Sequence, residues 1–248
     1  MSAEPWYIWA LVLTGAVGLP ALTAGVLDRA ARQVGMSRSP GAVLAVAAGI
    51  WLASSVVLAD SGSFHRAGHT APWFAIAVLG VLAIAIGSSL VPTARRLLAT
   101  RDASAWLTVP HTVRVVGVVF LILAAQGRLP WLFALPAGLG DMAIGSAAPR
   151  VARRLARDPN APGATKFHLL GIADLIVALT LGFLCGLGPI HLIAVPSSTL
   201  PLSQLPLALI PTVAVPLAIA LHVAALTHRG SPAPRTRRVR EAPSVDLA

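Results

Sequence analysis

Cysteine is almost missing from this chain. Cys185 is the only one among 248 residues, which excludes an internal disulfide and a cysteine-rich metal centre. Lysine is equally scarce: Lys166 stands alone beside eighteen arginines, and because it falls between apolar runs it rules out a retinal Schiff base inside a helix. Charge of either sign is low, at 11% of residues against about 25% in soluble domains. That deficit excludes an ordinary soluble fold.

What fills the chain instead is a series of apolar runs of about 20 residues, the length needed to cross a bilayer. Seven can be drawn: Pro5–Val26, Gly41–Asp60, Ala71–Val91, Leu107–Ala125, Leu129–Ala148, His168–Leu187 and Pro206–Thr227. The expected fold is therefore all-α, an integral membrane bundle of seven transmembrane helices over residues 1–228. Residues 229–248, basic and proline-rich, are expected to form a disordered cytoplasmic tail.

Basic residues are held on the cytoplasmic side of short loops. Sixteen of them fall after the first, third, fifth and seventh runs, and only Arg66 and Arg128 fall in the opposite loops. The N-terminus is expected outside and the C-terminus inside. The first run follows Glu4 and precedes Arg29, so it reads as a retained helix and not as a signal peptide. A net charge of +10 spread through every cytoplasmic loop fits topogenesis and anionic lipid headgroups, not a nucleic-acid partner. The arginine-rich, lysine-poor composition points to a bacterial cytoplasmic (inner) membrane.

Small residues at steps of three and four let helices approach closely. The first three spans carry such stripes and read as packing helices. Between the second and third, His65, Arg66 and His69 are flanked by Gly62 and Gly68 and read as a solvated loop, with no metal site assigned. Asp60 is expected at the membrane interface. The uncharged, proline-rich stretch from Gly188 to Leu205 is expected to fold back over the outer mouth of the bundle.

The second half differs. Span 4 opens with Pro110, a suitable first-turn residue, and places His111 and Arg114 three apart on one face. Span 5 carries Gly138, Asp141 and Gly145 along one packing seam; span 6 carries Gly171, Asp174 and Ala178 along another; span 7 reaches His222. At about 1.5 Å per residue, Arg114, Asp141, Asp174 and His222 all lie roughly 8–12 Å below the inner surface, with His111 one turn nearer it. The candidate buried polar site is therefore His111, Arg114, Asp141, Asp174 and His222. Gly138, Gly145, Gly171 and Ala178 are its packing residues.

An aspartate at a helix centre costs about 2.5–3.5 kcal/mol on insertion scales. One arginine cannot neutralise two of them, so one aspartate is expected to carry a proton. This favours a site that binds or moves a small molecule or a proton, helped by Pro211 and Pro216 freeing the carbonyls of Leu207 and Thr212. The bland alternative is a purely structural role, with the arginine reaching the interface and the aspartates bridging helices. A third reading is haem or metal ligation, although no two histidines lie one or two turns apart on one span. No cofactor and no catalytic activity can be read directly.

Two resemblances add to this. Gly138-Leu139-Gly140-Asp141 resembles the Gly-x-Gly-Asp motif of intramembrane aspartyl proteases, which would make Asp141 and Asp174 catalytic. The partner aspartate precedes the motif in those families, whereas Asp174 follows it, and Pro20, Ala21 and Leu22 lie in the first helix. More broadly, Arg114-x-x-Gly117-x-x-Phe120, Pro136-Ala137-Gly138-x-Gly140-Asp141-x-x-x-Gly145, Gly171-x-x-Asp174-Leu175 and Pro211-x-x-x-x-Pro216 resemble a group of uncharacterised bacterial integral membrane proteins. That implies a polytopic membrane protein and no particular activity.

Overall fold

The computed structural model describes residues 4–37, 39–64, 72–187 and 192–227, with Pro72 and Trp73 described for backbone only. The tail 229–248 and the histidines at 65 and 69 lie outside the described residues, as does Arg66. Among the described residues there is no strand. The helices are α1 (Trp6–Gln33), α2 (Pro40–Asp60), α3 (Pro72–Ser89), α4 (Pro92–Leu98), α5 (Ala103–Ala125), α6 (Trp131–Arg157), α7 (Ala164–Leu187) and α8 (Ile210–Thr227). Six of them, α1, α2 and α5 to α8, are long and apolar enough to cross a membrane. A seventh span exists only if α3 and α4, bent by 74° at their junction, count as one.

Several boundaries differ from the sequence expectation. Helix α1 runs past Val26 to Gln33, and α6 runs past Ala148 to Arg157, so Arg150, Arg153, Arg154 and Arg157 stand on the last turns of a helix and not in a loop. Hydrophobic runs end where charge begins, but arginines are good helix formers and carry the backbone onward. Helix α5 starts at Ala103, before the expected Leu107, and Pro110 lies inside the span. From Val109 to Gly117 the coil tightens to a 3-10 helix, which accommodates the proline without a donor at that position. A 3-10 coil has three residues per turn. It therefore stacks His111, Arg114 and Gly117 on one buried ridge.

Burial separates spans that look alike in sequence. In α8, 72% of the apolar window is buried within the protein, against 11% in α2. Helix α8 is the central element and α2 a peripheral one. Helix α2 is fixed to α1 at one end: Gly41 N and Ser39 Oγ both donate to Asp28 Oδ1, at 2.7 and 2.8 Å, and Ser39 Oγ in turn accepts from Ala42 N. At the other end Glu4 pairs with Arg128, and Gln126 donates to Tyr7 Oη at 3.0 Å. The chain start and the α5–α6 turn thus share one end of the bundle. Asp60, at the end of α2, is exposed.

The described part of the loop before α8 turns back onto α7. Thr199 Oγ1 donates to Gly182 O at 2.6 Å, Thr199 N to Cys185 O at 3.1 Å, and Ile193 N to Leu184 O at 3.2 Å. These are the carbonyls a helix end leaves without partners. Leu202 and Leu187 then join Phe133, Phe120 and Ile8 in the main apolar core.

The carbonyls of Leu207 and Thr212 are not left free by Pro211 and Pro216. Leu207 O accepts from Ile210 N at 3.0 Å, and Thr212 O accepts from Trp51 Nε1 at 2.8 Å. A buried carbonyl left without a donor costs about 1–3 kcal/mol, so neighbouring groups close on it. Trp51→Phe, which removes the donor and part of the ring packed on the core, is accordingly expected to destabilise the protein by at least about 1–3 kcal/mol, read as a lower midpoint in an SDS-unfolding titration in mixed micelles.

Candidate functional site

Arg114 projects from the 3-10 ridge of α5 and is 6% exposed. Its guanidinium donates in three directions. Nε reaches Asp141 Oδ1 on α6 at 2.7 Å, Nη2 reaches Asp174 Oδ2 on α7 at 2.5 Å, and Nη1 reaches His222 Nε2 on α8 at 3.1 Å. The two aspartate side chains are 16% and 13% exposed. One side chain thus joins four helices, and His111 completes the group by stacking on His222 with ring centroids 3.7 Å apart and planes within 11° of parallel.

The five residues selected by depth are therefore neighbours in space. A single arginine reaches both carboxylates through the planar fork of its guanidinium. Its donors diverge in one plane, so two carboxylates arriving from different helices can each take one.

Glycines make the approach possible. A Cβ on Gly117 would collide with the Asp141 side chain, one on Gly140 with the Asp174 carboxylate, and one on Gly171 with the His222 ring. Gly145 lies against the Val115 backbone and Gly138 against Leu121. Ala178 packs against the main core one turn beyond Asp174. Each charged group is admitted by a missing side chain on the facing helix.

The sequence reading missed His168, which is fully buried at the start of α7. Its Nδ1 lies 2.9 Å from Nδ1 of His222. The directions follow from chemistry. Arginine only donates, so His222 Nε2 must accept and the ring hydrogen of neutral His222 sits on Nδ1, where it donates to His168 Nδ1. The hydrogen of neutral His168 is then on Nε2, 3.5 Å from Thr108 Oγ1, and Thr108 passes its own hydroxyl hydrogen to Ser104 O at 2.7 Å. His168 precedes Asp174 by six residues, about 9 Å along the helix, so the depth comparison puts it at the interface and outside the layer of the other four.

His111, by contrast, has no hydrogen-bond partner on either ring nitrogen among the described residues although it is fully buried. Together His111, His168 and His222 form a group of three buried histidines whose ligand atoms all lie within 4.8 Å of one another. Beside Arg114 and Asp141 lies a cavity of about 40 Å³, walled by Gly15, Leu19, Phe120, Leu175 and Val215.

The arrangement does not suit an aspartyl protease. That chemistry needs two carboxylates facing one another across a water molecule; here each is engaged by the same guanidinium.

The fold and the site define a multi-helix protein with a buried ionic centre and long apolar helices compatible with a membrane. Residues 71–228, more than half of the chain, match a family described as "Domain of unknown function (DUF8737)", and the chain belongs to that family. Comparison with curated proteins and with solved structures found no match. The matched region begins before α3 and holds all the site residues; α1, outside it, supplies Gly15 and Leu19 to the cavity wall.

Removing one member of a buried charged group leaves its partners uncompensated, at a cost of about 3–5 kcal/mol. Arg114→Ala is expected to lower stability by about that amount. Adding Asp141→Asn or Asp174→Asn should each recover part of the loss, and the triple variant should recover more than either double. SDS-unfolding midpoints measure the series, and full recovery by one Asn alone would show that the other carboxylate is not held by Arg114.

Proposed function

We propose that this is a multi-pass protein of the bacterial cytoplasmic membrane, with its N-terminus outside and its tail inside, whose buried cluster binds a proton within the bilayer. The observation that carries the reading is the sharing of one guanidinium by two carboxylates. Formal charges of two negative and one positive leave the cluster one positive charge short. In a low-dielectric interior an uncompensated charge is costly. A proton is the smallest group that completes the balance.

Size favours a proton over an organic substrate. Sites for drug-sized molecules usually measure about 300–1,000 Å³, whereas two cavities that touch Asp141, about 40 and 30 Å³, have room for water molecules and little else. A water there gives Asp141 a path for proton exchange that bypasses Arg114.

The orientation is supported by the sixteen-to-two asymmetry of basic residues about the spans. The Glu4–Arg128 contact fits it, since both belong to the end expected outside. At the opposite end Arg95, Arg96, Arg101, Arg150, Arg153, Arg154 and Arg157 are all exposed, a surface suited to anionic lipid headgroups.

Two measurements test the proposal. Infrared difference spectra of the purified protein at neutral pH should contain the carbonyl stretch of a protonated carboxylic acid, lost or shifted in Asp141→Asn or Asp174→Asn. Absence of the band, or a band indifferent to both substitutions, would leave the cluster a structural bridge only. For topology, Ser2→Cys should react with an impermeant thiol reagent on intact spheroplasts and Ser231→Cys should not; native Cys185 is buried and silent.

A further inference from the structure

We propose that His111, His168 and His222 form a binding site for a divalent late first-row transition metal, separate from the carboxylate pair and independent of the proton-binding reading. Three observations converge on it.

The first is the donor set. Three imidazoles on three different helices, α5, α7 and α8, are fully buried with their ligand atoms within 4.8 Å. Histidine nitrogens in a dry site select cobalt, nickel, copper or zinc; magnesium and calcium require oxygen. The second is spacing. With metal–nitrogen bonds of about 2.0–2.1 Å, two bound nitrogens stand about 2.9 Å apart at a right angle and about 3.3 Å apart at the tetrahedral angle. Nδ1 of His168 and Nδ1 of His222 are 2.9 Å apart, so only a few tenths of an ångström separate the rings from either geometry. An ion there takes the place of the hydrogen the two rings share; that proton leaves to solvent, and His222, whose Nε2 still accepts from Arg114, ligates as an imidazolate.

The third is His111. A fully buried imidazole with both nitrogens unsatisfied is expensive, and an unpaired buried polar group of this kind asks for a partner. Its ring now lies parallel to that of His222, so a nitrogen must swing out of the stack to meet an ion in the plane of His222. No hydrogen bond holds it back.

Electrostatics permits the cation despite Arg114. The guanidinium contacts Nε2 of His222, whereas the metal position is on the Nδ1 side of the ring, facing His168. The two aspartates beyond Arg114 offset its charge, fully when one of them holds a proton and with one negative charge to spare when neither does. Arg114 then serves as the second-shell group that orients a ligating histidine, a role usually held by a carboxylate or carbonyl.

The test uses full-length, tag-free protein in detergent, stripped with EDTA and dialysed against Co²⁺ or Zn²⁺. About one metal ion per chain is expected, and bound Co²⁺ should show ligand-field absorption in the visible. His111→Gln is the informative variant because it breaks no existing hydrogen bond. Its affinity is expected to fall by about 100-fold or more, as should that of His168→Gln, while each variant elutes as a monodisperse species. Asp174→Asn keeps all three ligands and should retain the metal, whatever its infrared spectrum shows, which separates this site from the proton-binding proposal. Folded wild-type protein that binds neither ion, or His111→Gln protein that binds as tightly as wild type, would overturn the proposal.

Discussion

The contact on which this molecule turns is the three-way grip of Arg114. A guanidinium buried among helices must satisfy its donors or leave them bare in a medium that cannot solvate them, and the partners it takes come one each from α6, α7 and α8. Those three helices cannot slide or rotate independently without breaking a charge-assisted bond. The glycines at 117, 140 and 171 are consequences of the same demand. Each removes a Cβ where a charged or aromatic group from the next helix has to enter.

In lipid, burial of apolar surface gives helices little reason to associate, so close packing and polar contacts decide who neighbours whom. The burial gradient follows that rule. Helix α8 carries His222 and contributes its backbone at Thr212 to Trp51, and it is the most enclosed span. Helix α2 has no ionisable group facing the bundle interior and keeps most of its surface outward. Apolarity makes both of them fit to cross a membrane. Polar commitments decide which one is central.

This division also explains what could be read from the sequence. Long apolar runs and the charge pattern made the helical class and the depth of Arg114, Asp141, Asp174 and His222 legible, because both depend on position along a helix. Lateral matters were not. The capture of Thr212 O by Trp51 comes from a partner distant in sequence, and the bend between α3 and α4 and the 3-10 tightening at Val109–Gly117 change the path of a helix without changing its apolarity. His168 was overlooked for a different reason: at the first turn of a span a histidine looks interfacial, and only the packing of α7 against α8 puts it beside His222. The same packing joins His168 to His111 and His222, three residues from separate helices that no spacing rule along one span could have linked.

The two ionic halves of the site are joined by Arg114 yet separated by it in chemistry. A hydrogen-bonded series runs from Ser104 O through Thr108, His168 and His222 to the guanidinium, and at first sight it is a wire for protons to the aspartates. It cannot act as one. Arginine stays protonated under all ordinary conditions, so a proton arriving at His222 finds a donor where a conductor needs an acceptor. Exchange at the aspartates must come from the other side, where the cavity touches Asp141. The histidine side is then left as a closed nitrogen-rich pocket, insulated from the carboxylates by a fixed positive charge. A residue that merely neutralised an aspartate would not need that geometry, and a lysine, whose three donors crowd on one compact ammonium, does not offer the wide planar fork that spans three helices.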